Sequence, residues 1–133
     1  MPRKSDLRLA GLGVDIVSVP RAEQFIKGRS PEALSRVLAP SELRCYKKNP
    51  SKFPFAKIFT AKEAFFKASQ LPPGGVYAFS QLEVKLLPHA HFEIEWHPTD
   101  GAAMKVRARG CHFESEAHVG AELIYWKPSP PKT

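Results

Sequence analysis

Asp15, Glu63 and Lys67 are the residues whose types and positions could do chemistry. Asp15 lies within Leu9-Ala-Gly-Leu-Gly-Val-Asp-Ile-Val-Ser18, a run that is otherwise apolar and small. Asp is disfavoured in strands, and a carboxylate in an apolar run implies a bound counter-charge. Glu63 lies among aromatic residues in Phe55-Ala-Lys-Ile-Phe-Thr-Ala-Lys-Glu-Ala-Phe-Phe-Lys-Ala-Ser69, with Lys62 just before it and Lys67 one helical turn later. A carboxylate hemmed by rings is costly to keep ionised unless cations or a metal compensate it. Lys67 at i+4 is one such partner, in the better order of Glu before Lys. The same spacing also describes an ordinary surface ion pair, so the helix alone decides nothing. Asp15 and Glu63 are far apart in sequence and share a site only if the strand packs on the helix. Two carboxylates that converge without a cation would repel, and one would have to take a proton.

The elements that must position these residues are legible. Alternation in the first strand puts Val14 and Ile16 on one face, Asp15 and Val17 on the other. Gly11 and Gly13 permit close approach of a backbone or ligand. They are not a dinucleotide fingerprint, because the position three after Gly13 is Ile16. The segment 55–69 has no Gly or Pro and predicts a helix. Ile58, Ala61, Phe65 and Ala68 form its apolar stripe, and Phe59 and Phe66 a second patch.

Pro20–Lys27 predicts a helix stopped by Gly28. Another is predicted over Ser30–Leu38, with Ser30 as its cap, and a short one over Ser41–Lys47. Leu71-Pro-Pro-Gly-Gly-Val76 breaks the central helix. Beyond it, period-two alternation predicts strands around 82–87, 92–97 and 104–109, the last two joined by the turn Pro98-Thr-Asp-Gly101. A final strand is predicted over Val119–Trp126. The class is α+β, short helices on a small, mostly antiparallel sheet, with a single domain over 1–127 and a disordered Pro- and Lys-rich tail over 128–133.

The chain has 133 residues and a formal net charge of +7, which favours an acidic or phosphate-bearing partner. Two cysteines, Cys45 and Cys111, are too few for a disulfide framework. The basic start, with Arg3, Lys4 and Arg8, has neither a secretory pattern nor a membrane span after it, so a cytoplasmic protein is expected. His89 and His91 form an H-x-H without a further ligand nearby, so zinc is not expected there.

Gly11-Leu-Gly-Val-Asp-Ile-Val17 and Phe59-Thr-Ala-Lys-Glu-Ala-Phe-Phe-Lys-Ala68, taken together, resemble the 4′-phosphopantetheinyl transferases, in their short holo-acyl-carrier-protein synthase branch. Arg21, six residues after Asp15, fits the same pattern. The resemblance implies transfer of 4′-phosphopantetheine from coenzyme A to a serine of apo-acyl carrier protein, releasing adenosine 3′,5′-bisphosphate. It implies Asp15 and Glu63 as ligands of Mg²⁺, with Asp15, Glu63 and Lys67 catalytic. Coenzyme A would meet Lys57, Lys62, Lys67, the turn at Gly74 and Gly75, and His112. An acidic carrier protein would dock on Arg21, Lys27 and Arg29, and active sites would form between subunits of a homotrimer.

The sequence departs from the family's pattern where an Arg usually reaches the coenzyme's 3′-phosphate, five residues before the motif Glu. That position is Ile58. Two alternatives stand beside the transferase: a weakened transferase-like domain that binds an acidic carrier protein without turning over, motivated by Ile58, and a basic nucleic-acid binder, motivated by the net charge. The second lacks both a fingerprint and an aromatic platform on a basic strand face, so nucleic acid is not the expected partner.

Overall fold

The computed structural model describes residues 7–71, 75, 77–98 and 104–128. Its elements run β1 (Leu7–Ser18), α1 (Val19–Ile26), α2 (Pro31–Leu34), α3 (Pro40–Lys48), α4 (Phe55–Ser69), β2 (Leu82–Leu86), β3 (His91–Trp96), β4 (Met104–Glu114) and β5 (His118–Pro128). The five strands form one sheet in the order β1-β5-β4-β3-β2, and all four neighbouring pairs are antiparallel. The expected α+β class is the one observed.

Helix α4 lies across β1 and β5 and carries the core. Its stripe of Ile58, Ala61, Phe65 and Ala68 is buried, as are Phe92, Ile94, Ala121 and Leu123 on the sheet face below. Gly11 and Gly13 allow this contact. A Cβ on Gly11 would collide with the carbonyl oxygen of Ala68, and one on Gly13 with that of Ala64. The close approach is thus between strand and helix backbones. The chain leaves α4 through Gln70 in the left-handed region (φ 59°).

Capping explains the short helices. Ser18 Oγ accepts from the Arg21 amide at 3.4 Å to start α1, and Ser30 Oγ accepts from the Ala33 amide at 3.1 Å to start α2. The second helix is shorter than its sequence predicts and ends at Leu34. Ser35 Oγ donates to the Glu32 carbonyl at 2.6 Å, a local bond that competes with the helix, and Pro40 bars the chain ahead. Strand β4, conversely, outruns its prediction through Gly110 to Glu114, where it pairs with β5. Strand β5 includes Lys127 and Pro128, while 129–133, the rest of the expected tail, lie outside the described residues. So does most of the predicted Pro98–Gly101 turn.

The alternation of β1 is inverted relative to a simple surface strand. Asp15 and Val17 face α4, whereas Leu12, Val14 and Ile16 point outward at 67%, 45% and 58% exposure. With Phe113 of β4 and Ile124 of β5, also exposed, they leave the sheet with an apolar outer face.

Candidate active site

The packing of β1 on α4 brings Asp15, Glu63 and Lys67 together. Lys67 Nζ donates to Asp15 Oδ1 at 2.8 Å and to the Val14 carbonyl at 3.3 Å. The pair expected within the helix, Glu63 with Lys67, is therefore not the bonded one. The helical spacing placed both near β1, and the strand carboxylate took the ammonium.

The electrostatics agree with convergence. Glu63 has its pKa raised, first by burial and then by the charge of Asp15, against the opposing pull of Lys67. The Lys67 pKa is raised chiefly by its hydrogen bond to Asp15. Asp15 is 12% exposed, and its Oδ2 is the one buried side-chain polar atom among the described residues without a hydrogen-bond partner. An orphaned carboxylate oxygen beside a second carboxylate whose ionisation is disfavoured is a donor set that suits a hard divalent cation. These residues fit such an ion.

Lys62, expected to meet the coenzyme, does not belong to this cluster. Its side chain is fully buried, and Nζ donates to Glu42 Oε1 at 2.6 Å and to the carbonyls of Val37 and Phe79, each at 2.9 Å. One residue is about 100° around a helix, so Lys62 faces away when Glu63 faces β1. Glu42 itself escaped the sequence reading. Its place three residues after Ala39 signals a helix N-terminus, but nothing local points to Lys62.

His112, expected to meet the coenzyme, is placed away from the Asp15–Lys67 pair, at the start of α4. It lies inside β4, buried against the Phe92 ring at 4.7 Å, and its Nε2 donates to the Lys57 carbonyl at 2.8 Å. Burial lowers its pKa, consistent with a neutral ring pinning β4 to the first turn of α4. Lys57 is half-exposed, with Nζ 3.3 Å from Glu114. Ile58 is buried in the core. Gly75 is exposed, and Gly74 lies outside the described residues.

Arg21, Lys27 and Arg29 are all exposed. Arg21 opens a cavity floored by Phe25, Phe55 and Phe59, with Ile16 and Val17 of β1 on its wall, next to Asp15 in the chain. Phe25 and Phe59 both stack near Phe55, at 5.9 and 5.6 Å. The Arg29 guanidinium lies 4.0 Å over the Phe25 ring.

A second carboxylate cluster, which sequence spacing did not flag, joins Glu83 of β2 to Glu95 and His97 of the β3 strand and its end. His97 Nε2 is 3.0 and 2.9 Å from the two carboxylates, and Ser41 and Lys85 also bond Glu83. These partners satisfy Glu83, and the cluster lies on strands that carry neither Asp15 nor Glu63. His91 uses its Nδ1 to donate to Pro88 at 3.3 Å.

Comparison with known proteins points the same way. The model of the 4′-phosphopantetheinyl transferase superfamily matches residues 11–119. A holo-[acyl-carrier-protein] synthase of Idiomarina loihiensis is 36% identical over 101 residues, covering 75% of this chain and 78% of that one. Another, of Geotalea daltonii, is 39% identical over 75 residues, 56% of this chain and 60% of that protein, so less than two thirds of that relative is matched. Among solved structures, the synthase of Neisseria meningitidis superposes with a TM-score of 0.68 at 26% identity, covering 89% of this chain and 98% of that one. That of Bacillus anthracis, in complex with CoA (3′,5′-ADP), shares the fold at a TM-score of 0.63 and 21% identity, over 92% of this chain and 98% of its own.

Proposed function

The chain belongs to the 4′-phosphopantetheinyl transferase superfamily, and from that membership we propose that it acts as a holo-acyl-carrier-protein synthase. The observation that carries the reading is the meeting of Lys67 with Asp15 at 2.8 Å beside Glu63, with Asp15 Oδ2 left without a donor. In the reaction, a serine Oγ of apo-acyl carrier protein bonds to the phosphorus of the phosphopantetheine group. The bond from that phosphorus to the bridging oxygen breaks, and adenosine 3′,5′-bisphosphate leaves.

Positioning and charge neutralisation carry most of such a transfer. Asp15 and Glu63 would hold Mg²⁺, which supplies positive charge to the coenzyme's pyrophosphate. Glu63 accepts the serine proton, a role favoured by a pKa raised toward the working range. Lys67 neutralises the charge gathering on the departing phosphate. Lys57 is the half-exposed cation at the start of α4 for the coenzyme's 3′-phosphate, given Ile58 beside it, and Gly74 and Gly75 are further candidates to meet the coenzyme. Arg21, Lys27 and Arg29 would receive an acidic carrier protein, with Arg21 at the cavity beside β1.

The outward apolar face of Leu12, Val14 and Ile16 supports self-association, read as a homotrimer, since such a face marks an interface. β1 is an edge strand of the sheet, so a neighbouring copy that packs on this face and reaches round the edge would border the site. No helix among the described residues is long and apolar enough to cross a membrane, in keeping with a cytoplasmic enzyme of fatty acid biosynthesis. Calorimetric titration with coenzyme A tests the binding half of the reading. Affinity should rise when Mg²⁺ is present, and equal affinity in chelator would count against it.

A further inference from the structure

The Lys62–Glu42 pair is a buried, heavily bonded side-chain cluster outside the active site, and the reaction does not use it. Lys62 is 0% exposed and Glu42 5%. The three protons of Lys62 Nζ go to Glu42 Oε1, Val37 O and Phe79 O. Glu42 Oε1 also accepts the Ala39 amide at 2.8 Å, and Oε2 accepts the Val84 amide at 2.9 Å. One ammonium thus ties α4 to the turn before α3, to α3 itself and to the turn leading into β2, while Glu42 extends the tie to the sheet edge.

Burying such a pair is not a cheap way to fill space, because both charges lose their water. What it provides is a single place for Nζ, fixed by three acceptors on three separate segments. The sheet side of α4 is held near its ends, where the Lys57 carbonyl accepts from His112 and Lys67 Nζ donates to Asp15 and the Val14 carbonyl. It rests on β1 at Gly11 and Gly13, two positions without side chains to interlock with the helix. A smooth glycine contact permits rotation and sliding; ridges of side chains resist it. Lys62 thus adds, on the far side of α4, a fully buried anchor to the holds at Lys57 and Lys67.

We propose that Lys62 and Glu42 are positioning residues that set the rotation and height of α4, so that Glu63 and Lys67 meet Asp15. The proposal rests on the reading of Asp15, Glu63 and Lys67 as the transferase site. Lys62 touches neither substrate nor metal in this account, and acts only through the residue that follows it.

The test compares Lys62→Met and Glu42→Asp with wild-type protein, using melting cooperativity, steady-state kinetics and ¹⁵N amide spectra. Folded variants should lose about 10- to 100-fold in kcat, the scale of a small misplacement of reacting groups. KM for coenzyme A and for the carrier protein should stay within about twofold, because a tilt of α4 misaligns Glu63 without removing a binding group. A folded variant with wild-type kcat would overturn the proposal. If Lys62→Met fails to fold, Glu42→Asp decides, since it keeps the charge pair and draws the carboxylate back by one methylene. Should wild-type protein transfer nothing, the reading of the site fails separately. The amide spectra then judge the positioning: in Glu42→Asp, shifts reaching Asp15 and Lys67 support it, and shifts confined to residues around 37, 42, 79 and 84 overturn it.

Discussion

Glu63 has its pKa raised in the folded chain, so the native state binds a proton that the unfolded chain has released. Between the unfolded and folded pKa values, rising pH therefore favours unfolding, and the penalty persists at higher pH. Glu63→Gln removes it. The variant should melt above wild type near about pH 8 and show no such gain near about pH 4, where both states are protonated. Thermal melts at the two pH values check the sign, and a gain at the acidic value instead would mean that the environment of Glu63 is misread. Lys67→Met should lower transfer by about 10²-fold, the usual scale for one charge-stabilising group, and a rate assay at saturating carrier protein measures it. Asp15, Glu63 and Lys67 were legible because each is a charge where apolar neighbours dominate. Their bonding was not: a helix spacing names Glu63 as the partner of Lys67, and only the packing of β1 shows that Asp15 takes it.

Helix α4 owes its place to what lies on either side of it. Gly13→Ala would drive a methyl group into the Ala64 carbonyl, which belongs to a rigid helix backbone, and should cost about 1–3 kcal/mol or more in urea unfolding. On the other side, Lys62→Met leaves Glu42 buried without its cation and should cost about 3–5 kcal/mol by the same measurement. The contrast between these elements shows what a sequence carries. Periodicity located α4, and turn residues located its ends, since both signals are local. The partner of Lys62 is invisible in that sense, because Glu42, Val37 and Phe79 reach it through tertiary packing. A lysine next to the motif Glu invites a phosphate-binding role, yet its side chain points into the core. The short α2 and the long β4 were missed for related reasons, a serine side chain competing locally in one and pairing with β5 extending the other.

The whole molecule presents one sheet face to α4 and the other, apolar, to its surroundings. Leu12, Val14 and Ile16 make the outer face of β1, and strand alternation could place them together without saying which face was inward. The placement of Asp15 inward required α4. The proposed self-association predicts that Ile16→Glu sediments as a smaller species than wild-type protein in sedimentation velocity; unchanged sedimentation would show that this face is not the interface. Composition contributed a basic chain suited to an acidic or phosphate-bearing partner, and the paired motifs contributed the family, which spans both layers of the fold. The central claim is transfer of phosphopantetheine at Asp15, Glu63 and Lys67. Its most direct test is the intact mass of a serine-bearing apo-acyl carrier protein after incubation with this protein, coenzyme A and Mg²⁺, beside Glu63→Ala and metal-free controls. A gain of one phosphopantetheine that both controls lack is the predicted result. No gain across several carrier proteins, with the protein folded and assembled, would contradict it.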